Sequence, residues 1–186
     1  WQEKSGKSKK QVSPLSLLVT GFSTVEDVRD TLTPDLKGTG TSLILIDLGK
    51  GQNRMGGSTL AQCYKQIGVS TPDLDDPKLF KNFFNCIQKL IAEKALLAYH
   101  DRSDGGLLAT LAEMSIAGRK GVSVELGALL KDTATALDKA AFEALFNEEL
   151  GAVIEVSSEQ LDFVLSQIES FGLSSISLTF FVRLFV

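Results

Sequence analysis

One histidine, two cysteines and no long apolar run set the first limits on this 186-residue chain. With His100 as the sole imidazole, His-rich metal centres and most Cys–His nucleophile pairs are excluded. Cys63 and Cys86 stand too far apart for a Cys-x-x-Cys motif, and no further thiols complete a zinc set. Both read as small core residues. Scarce cysteine and no recognisable secretory leader predict a reducing, cytoplasmic setting. No stretch approaches the roughly 20 apolar residues of a membrane span, so no membrane partner is expected. Net positive charge is also missing: 19 Lys and Arg against 23 Asp and Glu leave −4. That balance disfavours nucleic acid as a partner. The basic cluster Lys4, Lys7, Lys9 and Lys10 lies among Ser and Gln and reads as a solvated lead-in.

What is present is ordinary globular material, 44% hydrophobic and 23% charged, enough for one substantial core. Residues 1–13 read as a polar lead-in, although Trp1 hints at a start inside a larger protein. Leu15 to Phe22 reads as a buried strand, and Thr24 to Leu32 as a helix with Thr24 as N-cap. Ser42 to Leu48, SLILIDL, is the clearest strand, apolar enough to be covered on both faces. Helices are expected from about Thr59 to Ile67, Pro77 to Lys94, Gly105 to Ala117, Leu137 to Phe146 and Ser157 to Phe171. In the second of these Phe80, Phe83, Phe84, Ile87, Leu90 and Ile91 share one apolar face with Cys86. Strands are expected at Val122–Leu126, Ala152–Val156 and Ile176–Val186, with residues 127–136 as a loop.

Three stretches carry candidate chemistry. Gly49 to Ser58 follows a strand and precedes a helix, but Arg54 stands where G-x-G-x-x-G needs glycine. Lys50 is followed by Gly51, where the Walker pattern needs Ser or Thr. What remains is either an anion-meeting loop built from Lys50, Arg54, Gly56, Gly57 and Ser58, or a tight turn with glycines for close packing. Asp73, Asp75 and Asp76 resemble a metal cluster, yet Asp76-Pro77 fits an N-cap with proline at the first helical position, and the capping reading is preferred. The third stretch, Tyr99 to Gly106, YHDRSDGG, dominates. It places five consecutive polar residues and two glycines between an apolar run and a helix, where carboxylates and hydroxyls meet free backbone N–H groups. Asp104 is expected to cap that helix through Gly105 to Leu107. His100 either orients a ligand or is a hydrogen-bonded structural residue. Arg102 either binds phosphate or pairs with an acid such as Glu148 or Glu149.

DVRDTLTPDL (27–36), IDLGKGQNRMGGSTLAQ (46–62), LLAYHDRSDGGLLATLAEMSIAG (96–118) and ALFNEELGAVIEV (144–156) together resemble the large, single-chain phosphoribosylformylglycinamidine synthases, the formylglycinamide ribonucleotide amidotransferases. More narrowly, they are similar to the second of two domains there that are related to the C-terminal half of aminoimidazole ribonucleotide synthetase. The resemblance implies an α+β fold, one mixed β-sheet layered with helices, over residues 14–173, with 174–186 an uncertain tail. It implies a fragment of a purine-biosynthesis ligase that amidates formylglycinamide ribonucleotide with ATP and glutamine. No catalytic nucleophile is expected in this chain. Mg2+ and ATP or ADP are the implied cofactors, with Asp101 as metal ligand and Ser103, Gly105 and Gly106 at the nucleotide. The implied partners are a ferredoxin-like synthetase domain, a pseudo-symmetric twin domain and a glutaminase domain. The alternative is a non-catalytic structural module that binds an auxiliary nucleotide only together with those domains.

Overall fold

The computed structural model describes residues 4–8, 10, 17–25, 27–124, 126–130, 137–178 and 180–184. In chain order the elements are β1 (Ser42–Asp47), α1 (Thr59–Cys63), α2 (Pro77–Ala92), β2 (Ala98–Asp101), α3 (Gly106–Gly118) and β3 (Lys120–Val124). They are followed by α4 (Leu137–Phe146), β4 (Gly151–Val156), α5 (Leu161–Ser170), β5 (Ser175–Leu178) and β6 (Phe180–Leu184).

The apolar run predicted as the clearest strand becomes β1, paired on both edges within a sheet of order β2-β4-β1-β5. Its register sets Ile44 opposite Ile154 on β4 and Leu43 opposite Leu178 on β5. Alternation then sends its residues to two cores. Ile44 and Ile46 join Ala152, Ile154 and Val156 under α2 and α5, which contribute Phe83, Cys86, Ile87, Leu90, Val164 and Ile168. Leu43 and Leu45 face the other way, toward Leu107, Leu111 and Met114 of α3. Leu43, Ile44, Leu45 and Ile46 are each at most 1% exposed, and each such side chain contributes about 1.5–3 kcal/mol by leaving water. A second, two-stranded sheet pairs β3 with β6.

The fold is α+β, as expected, but the mixed sheet is corrected: every ladder among the described residues is antiparallel. The reason is topological. The β1–α2–β2 crossover returns a strand of the same direction, and β4 then inserts between β1 and β2. One would-be parallel pair thereby becomes two antiparallel ones.

Other sequence expectations shift for local reasons. Leu15 and Ser16 lie outside the described residues, and residues 17–22 form no strand; Leu18 and Phe22 are 95% and 94% exposed. Both edges of β1 are occupied by β4 and β5, so its ladders offer that segment no place. The helix expected from Thr24 shrinks to one 3₁₀ turn, Val28–Asp30, capped by Asp27 rather than Thr24. Helix α1 stops at Cys63, and Cys63 is exposed rather than core. On α2 the buried stripe holds Phe83, Cys86, Ile87 and Leu90, while Phe80 and Phe84 sit at its margins, 41% and 58% exposed. Helix α5 begins at Leu161, after a turn over residues 158–160. The last expected strand divides into β5 and β6, and residues 179, 185 and 186 lie outside the described set.

Asp76 caps α2 as expected, its carboxylate accepting from the Lys78 and Leu79 amides at 3.1 and 3.0 Å with Pro77 beginning the helix. The Leu79 N–H holds this carboxyl below the ordinary aspartate range. A charged residue also organises the sheet: Glu155, fully buried on β4, accepts from the Lys37 amide at 2.8 Å, the Gly38 amide at 3.2 Å and the Thr41 hydroxyl at 2.7 Å. It fixes the entry into β1.

The two cysteines differ enough to be told apart chemically. Burial pushes the Cys86 thiol up to about 11, whereas Cys63 is exposed. A thiol reagent at neutral pH is expected to modify one cysteine rapidly in the native chain and two in denaturant. Rapid modification of both in the native state would contradict the packing of α2.

Candidate functional site

The HDRSDGG stretch begins as β2 and ends as α3, and the turn between them has one workable shape. Gly105 and Gly106 both adopt positive φ, +84° and +70°, a region L side chains rarely enter. At Gly106 a β-carbon would lie 2.5 Å from the carbonyl oxygen of Asn147 and 2.8 Å from that of Leu145. The turn is therefore clamped onto the end of α4. Thr110, one helical turn in, donates to the carbonyls of Gly106 and Asp101 and ties the helix back to the strand.

Asp101, at the strand end, is exposed, and so is Ser103. The half-buried Tyr99 donates its hydroxyl to Asp101 Oδ1. Burial, with that hydrogen bond and the Asp101 charge, drives the Tyr99 pKa far up, so the phenol stays a neutral donor. One carboxylate oxygen is thus oriented from within the fold. His100 takes the structural reading: Nδ1 donates to the Asp101 carbonyl at 2.7 Å and Nε2 lies 2.9 Å from Glu113 Oε2. Asp104 does not cap α3. The Gly105 amide is held instead by Glu148 Oε1 at 2.8 Å, and the Gly106 amide by the Ser103 carbonyl at 2.9 Å. With both N–H groups engaged, the two glycines contribute backbone shape to the site.

Arg102 points inward and is 5% exposed. Its Nη2 donates to Asp47 Oδ1 at 2.5 Å and its Nε to the Glu149 carbonyl at 2.6 Å. Its pairing acid is therefore Asp47, at the end of β1, and neither the Glu148 nor the Glu149 carboxylate. Asp47 also accepts from the Gly49 and Gly51 amides at 3.2 and 2.8 Å, so one buried carboxylate joins the glycine loop to the HDRSDGG turn.

Glu149, 1% exposed, belongs to Arg54: Oε1 receives the Arg54 amide and Nε at 3.0 and 2.7 Å, and Oε2 receives Nη2 at 2.7 Å. The outer edge of the same guanidinium holds Asp75 at 2.7 Å and keeps that carboxyl below its usual range. The loop amides are also committed. Gly56 N–H donates to the Ser70 carbonyl and Gly57 N–H to the Ile67 carbonyl, each at 2.6 Å, while the Ser58 hydroxyl caps α1. In this arrangement the residues from Arg54 to Ser58 make a tight turn whose donors are taken up by Glu149, Ile67 and Ser70. Lys50, 3.6 Å from Asp76 and largely exposed, is the cation the loop still presents to solvent.

A cavity of about 370 Å³ opens beside this network, between the end of β1, Lys50–Gly51 and α4, with Asp47 and Arg102 among its walls. Asp101 and Ser103 do not line it; they face solvent outside. Among the described residues no group of three His, Cys, Asp or Glu side chains could hold a metal ion, and no helix is long and apolar enough to cross a membrane. A lone oriented carboxylate beside a hydroxyl nevertheless suits magnesium, which takes one or two protein carboxylates and completes its shell with phosphates and water.

Residues 38–177 match the family described as AIR synthase related protein, C-terminal domain, and the chain belongs to that family. The same fold recurs in solved structures. A Thermotoga maritima PurL complexed with ATP is similar at TM-score 0.62 and 15% identity, over 85% of this chain and 24% of that one. Thiamine-monophosphate kinase from Stenotrophomonas maltophilia is similar at TM-score 0.55 and 17% identity, over 83% and 51% of the two chains. The E. coli hydrogenase maturation protein HypE follows at TM-score 0.54 and 20% identity, over 83% and 47%. The chain therefore spans about a quarter of the PurL chain and about half of the other two.

Sequence reasoning singled out Asp101 and Ser103 and kept Arg54 and Lys50 in view. It passed over Asp47 and Asn147 and offered Glu149 only as one possible partner of Arg102, whereas it pairs with Arg54. An acid ending an otherwise apolar strand, and two more before the next strand in FNEELG, were the available signals.

Proposed function

We propose that the chain is the second synthetase C-terminal-type domain of a large phosphoribosylformylglycinamidine synthase, in which the HDRSDGG turn forms one wall of a magnesium–nucleotide site. The observation that carries this reading is the oriented, exposed Asp101 carboxylate beside the Ser103 hydroxyl, on a turn clamped from behind by Arg102, Glu148 and α4. Asp101 would hold Mg2+ and Ser103 would donate to a phosphate oxygen, with Gly105 and Gly106 keeping the backbone out of the way. The metal would neutralise charge on the phosphates. Lys50 adds a second positive charge for an anion that reaches the glycine loop. The remaining ligands would come from a ferredoxin-like synthetase domain, with a twin domain and a glutaminase domain completing the cytoplasmic ligase. The motifs of the chain and its family support this reading, and so does its span of about a quarter of the PurL chain.

The alternative, a module that binds an auxiliary nucleotide only with its partner domains, is favoured by one feature. Arg54 and the 56–58 amides are already satisfied, which leaves few donors for phosphate in this chain alone. Titration with Mg-ADP, followed by calorimetry and by amide shifts, separates the two. Binding at Ser103 and Gly105 that weakens at least about tenfold in Asp101→Asn is expected from the first reading. No response in the isolated chain, with binding by the same Asp101 in the longer parent, would establish the second. No effect of Asp101→Asn in either setting would overturn both.

A further inference from the structure

We infer that Glu148 is the positioning residue of this site: one carboxylate oxygen fixes the spacing between the glycine loop and the HDRSDGG turn. Its functional meaning rests on the nucleotide reading above, but its geometry does not. Glu148 Oε1 accepts from the Thr59 amide at 2.8 Å and from the Gly105 amide at 2.8 Å, residues that lie 89 and 43 positions away in sequence. These donors stand at the starts of two different helices, α1 and α3. Helix α3 has no side-chain cap of its own, so Glu148 performs that service from across the molecule.

The residues around Glu148 brace it. Asn147, 1% exposed, donates to Asn53 Oδ1 at 3.2 Å and to the carbonyls of Glu143 and Ala144, and its own oxygen receives the Glu149 amide. Glu149 grips Arg54. Arg102 donates back to the Glu149 and Leu150 carbonyls. Residues 147–150 are thus a short rigid hub between α4 and β4, with the glycine loop fastened on one side and the nucleotide turn on the other. Phosphates seated on Ser103 and reaching toward Lys50 need both loops at one fixed distance, and a ligand gains from having that distance set beforehand. Glu148 acts through those loops and need not touch the ligand.

The test uses the whole chain in wild-type form and as Glu148→Ala, Glu148→Gln and Glu148→Asp. Glutamine keeps an acceptor at the same reach without the charge; aspartate keeps the charge but is one methylene too short for both amides. Amide exchange by NMR should accelerate roughly tenfold or more at both Thr59 and Gly105 in the alanine and aspartate variants, with β4 and α5 unchanged. Glutamine should restore both. Mg-ADP affinity should follow the same order, falling about 10–100-fold with alanine and staying near wild type with glutamine. Loss of protection at one amide only, losses spread through β4 and α5, or a glutamine variant that behaves like alanine would each overturn the inference. Absence of any Mg-ADP response in the wild type would sink the nucleotide reading for this chain, while the exchange data would still decide the tie.

Discussion

Gly106→Ala is expected to cost about 3 kcal/mol or more of folding stability. Two effects combine. An alanine held at φ +70° incurs about 1–2 kcal/mol of backbone strain. The new methyl would also sit 2.5 Å from the Asn147 carbonyl oxygen, with the Leu145 carbonyl at 2.8 Å behind it. Backbone carbonyls at a helix end cannot swing aside as a flexible side chain can. Gly172 provides the internal control, because it has the same φ of +70° and nothing within 4 Å. Gly172→Ala should therefore lose only the strain, about 1–2 kcal/mol, and the difference measures the clamp between α3 and α4. Urea unfolding of the three proteins decides the matter. Equal losses in the two variants would mean that the turn can lift off α4, and the close packing of the HDRSDGG turn would be wrong.

Arg102→Met should destabilise the chain by about 3–5 kcal/mol, the usual result of removing one partner of a buried ion pair. The arginine is 5% exposed and Asp47 6% exposed, so little water is at hand to compensate the carboxylate left behind. The Glu149 carbonyl loses this donor at the same time, while the Leu150 carbonyl keeps the Leu48 amide. Asp47 keeps the Gly49 and Gly51 amides, which tempers the penalty without cancelling it. Adding Asp47→Asn removes the orphaned charge and keeps one acceptor oxygen, enough for one of the Gly49 and Gly51 amides, which the wild-type carboxylate serves with separate oxygens. The double variant should accordingly be no less stable than Arg102→Met alone, giving a coupling energy of about 1–3 kcal/mol in the cycle. Strictly additive losses would show that the two groups do not share one interaction. They would also remove the physical link between the glycine loop and the turn.

Both predictions concern residues whose partners the sequence could not name. The HDRSDGG segment stands out in sequence because its polar density between two apolar elements is excessive for a plain connection, and Asp76-Pro77 is legible because a cap is a local event. The strand of residues 42–47 was readable for the same reason, since an almost unbroken apolar run needs cover on both faces. In contrast, the alternatives left open at Arg102 and Arg54 resolved in a crossed manner: Arg102 took Asp47, and Arg54 took Glu149. Both acids and both arginines sit beside turns, and side-chain type alone assigns no pairing among four such groups. The strand expected at residues 15–22 does not form over its described part, residues 17–22. Its apolar content suits a strand, but β4 and β5 already take both edges of β1.

Sequence by itself determined an excess of acidic over basic residues, an apolar strand at residues 42–47, a capped helix start at Asp76-Pro77 and a polar, glycine-ended turn before a helix. These follow from composition, from periodicity and from contacts between near neighbours, all of which are written along the chain. Tertiary structure alone decided that the sheet is antiparallel throughout its described ladders, that the glycine-loop amides are taken up by Asp47, Glu149, Ile67 and Ser70, and that Asn147, Glu148 and Glu149 hold the two loops together. Each of those depends on which distant segments come to lie side by side. Once β4 inserts between β1 and β2, the acids before it fall between the two loops, and only that placement makes them the hub of the site.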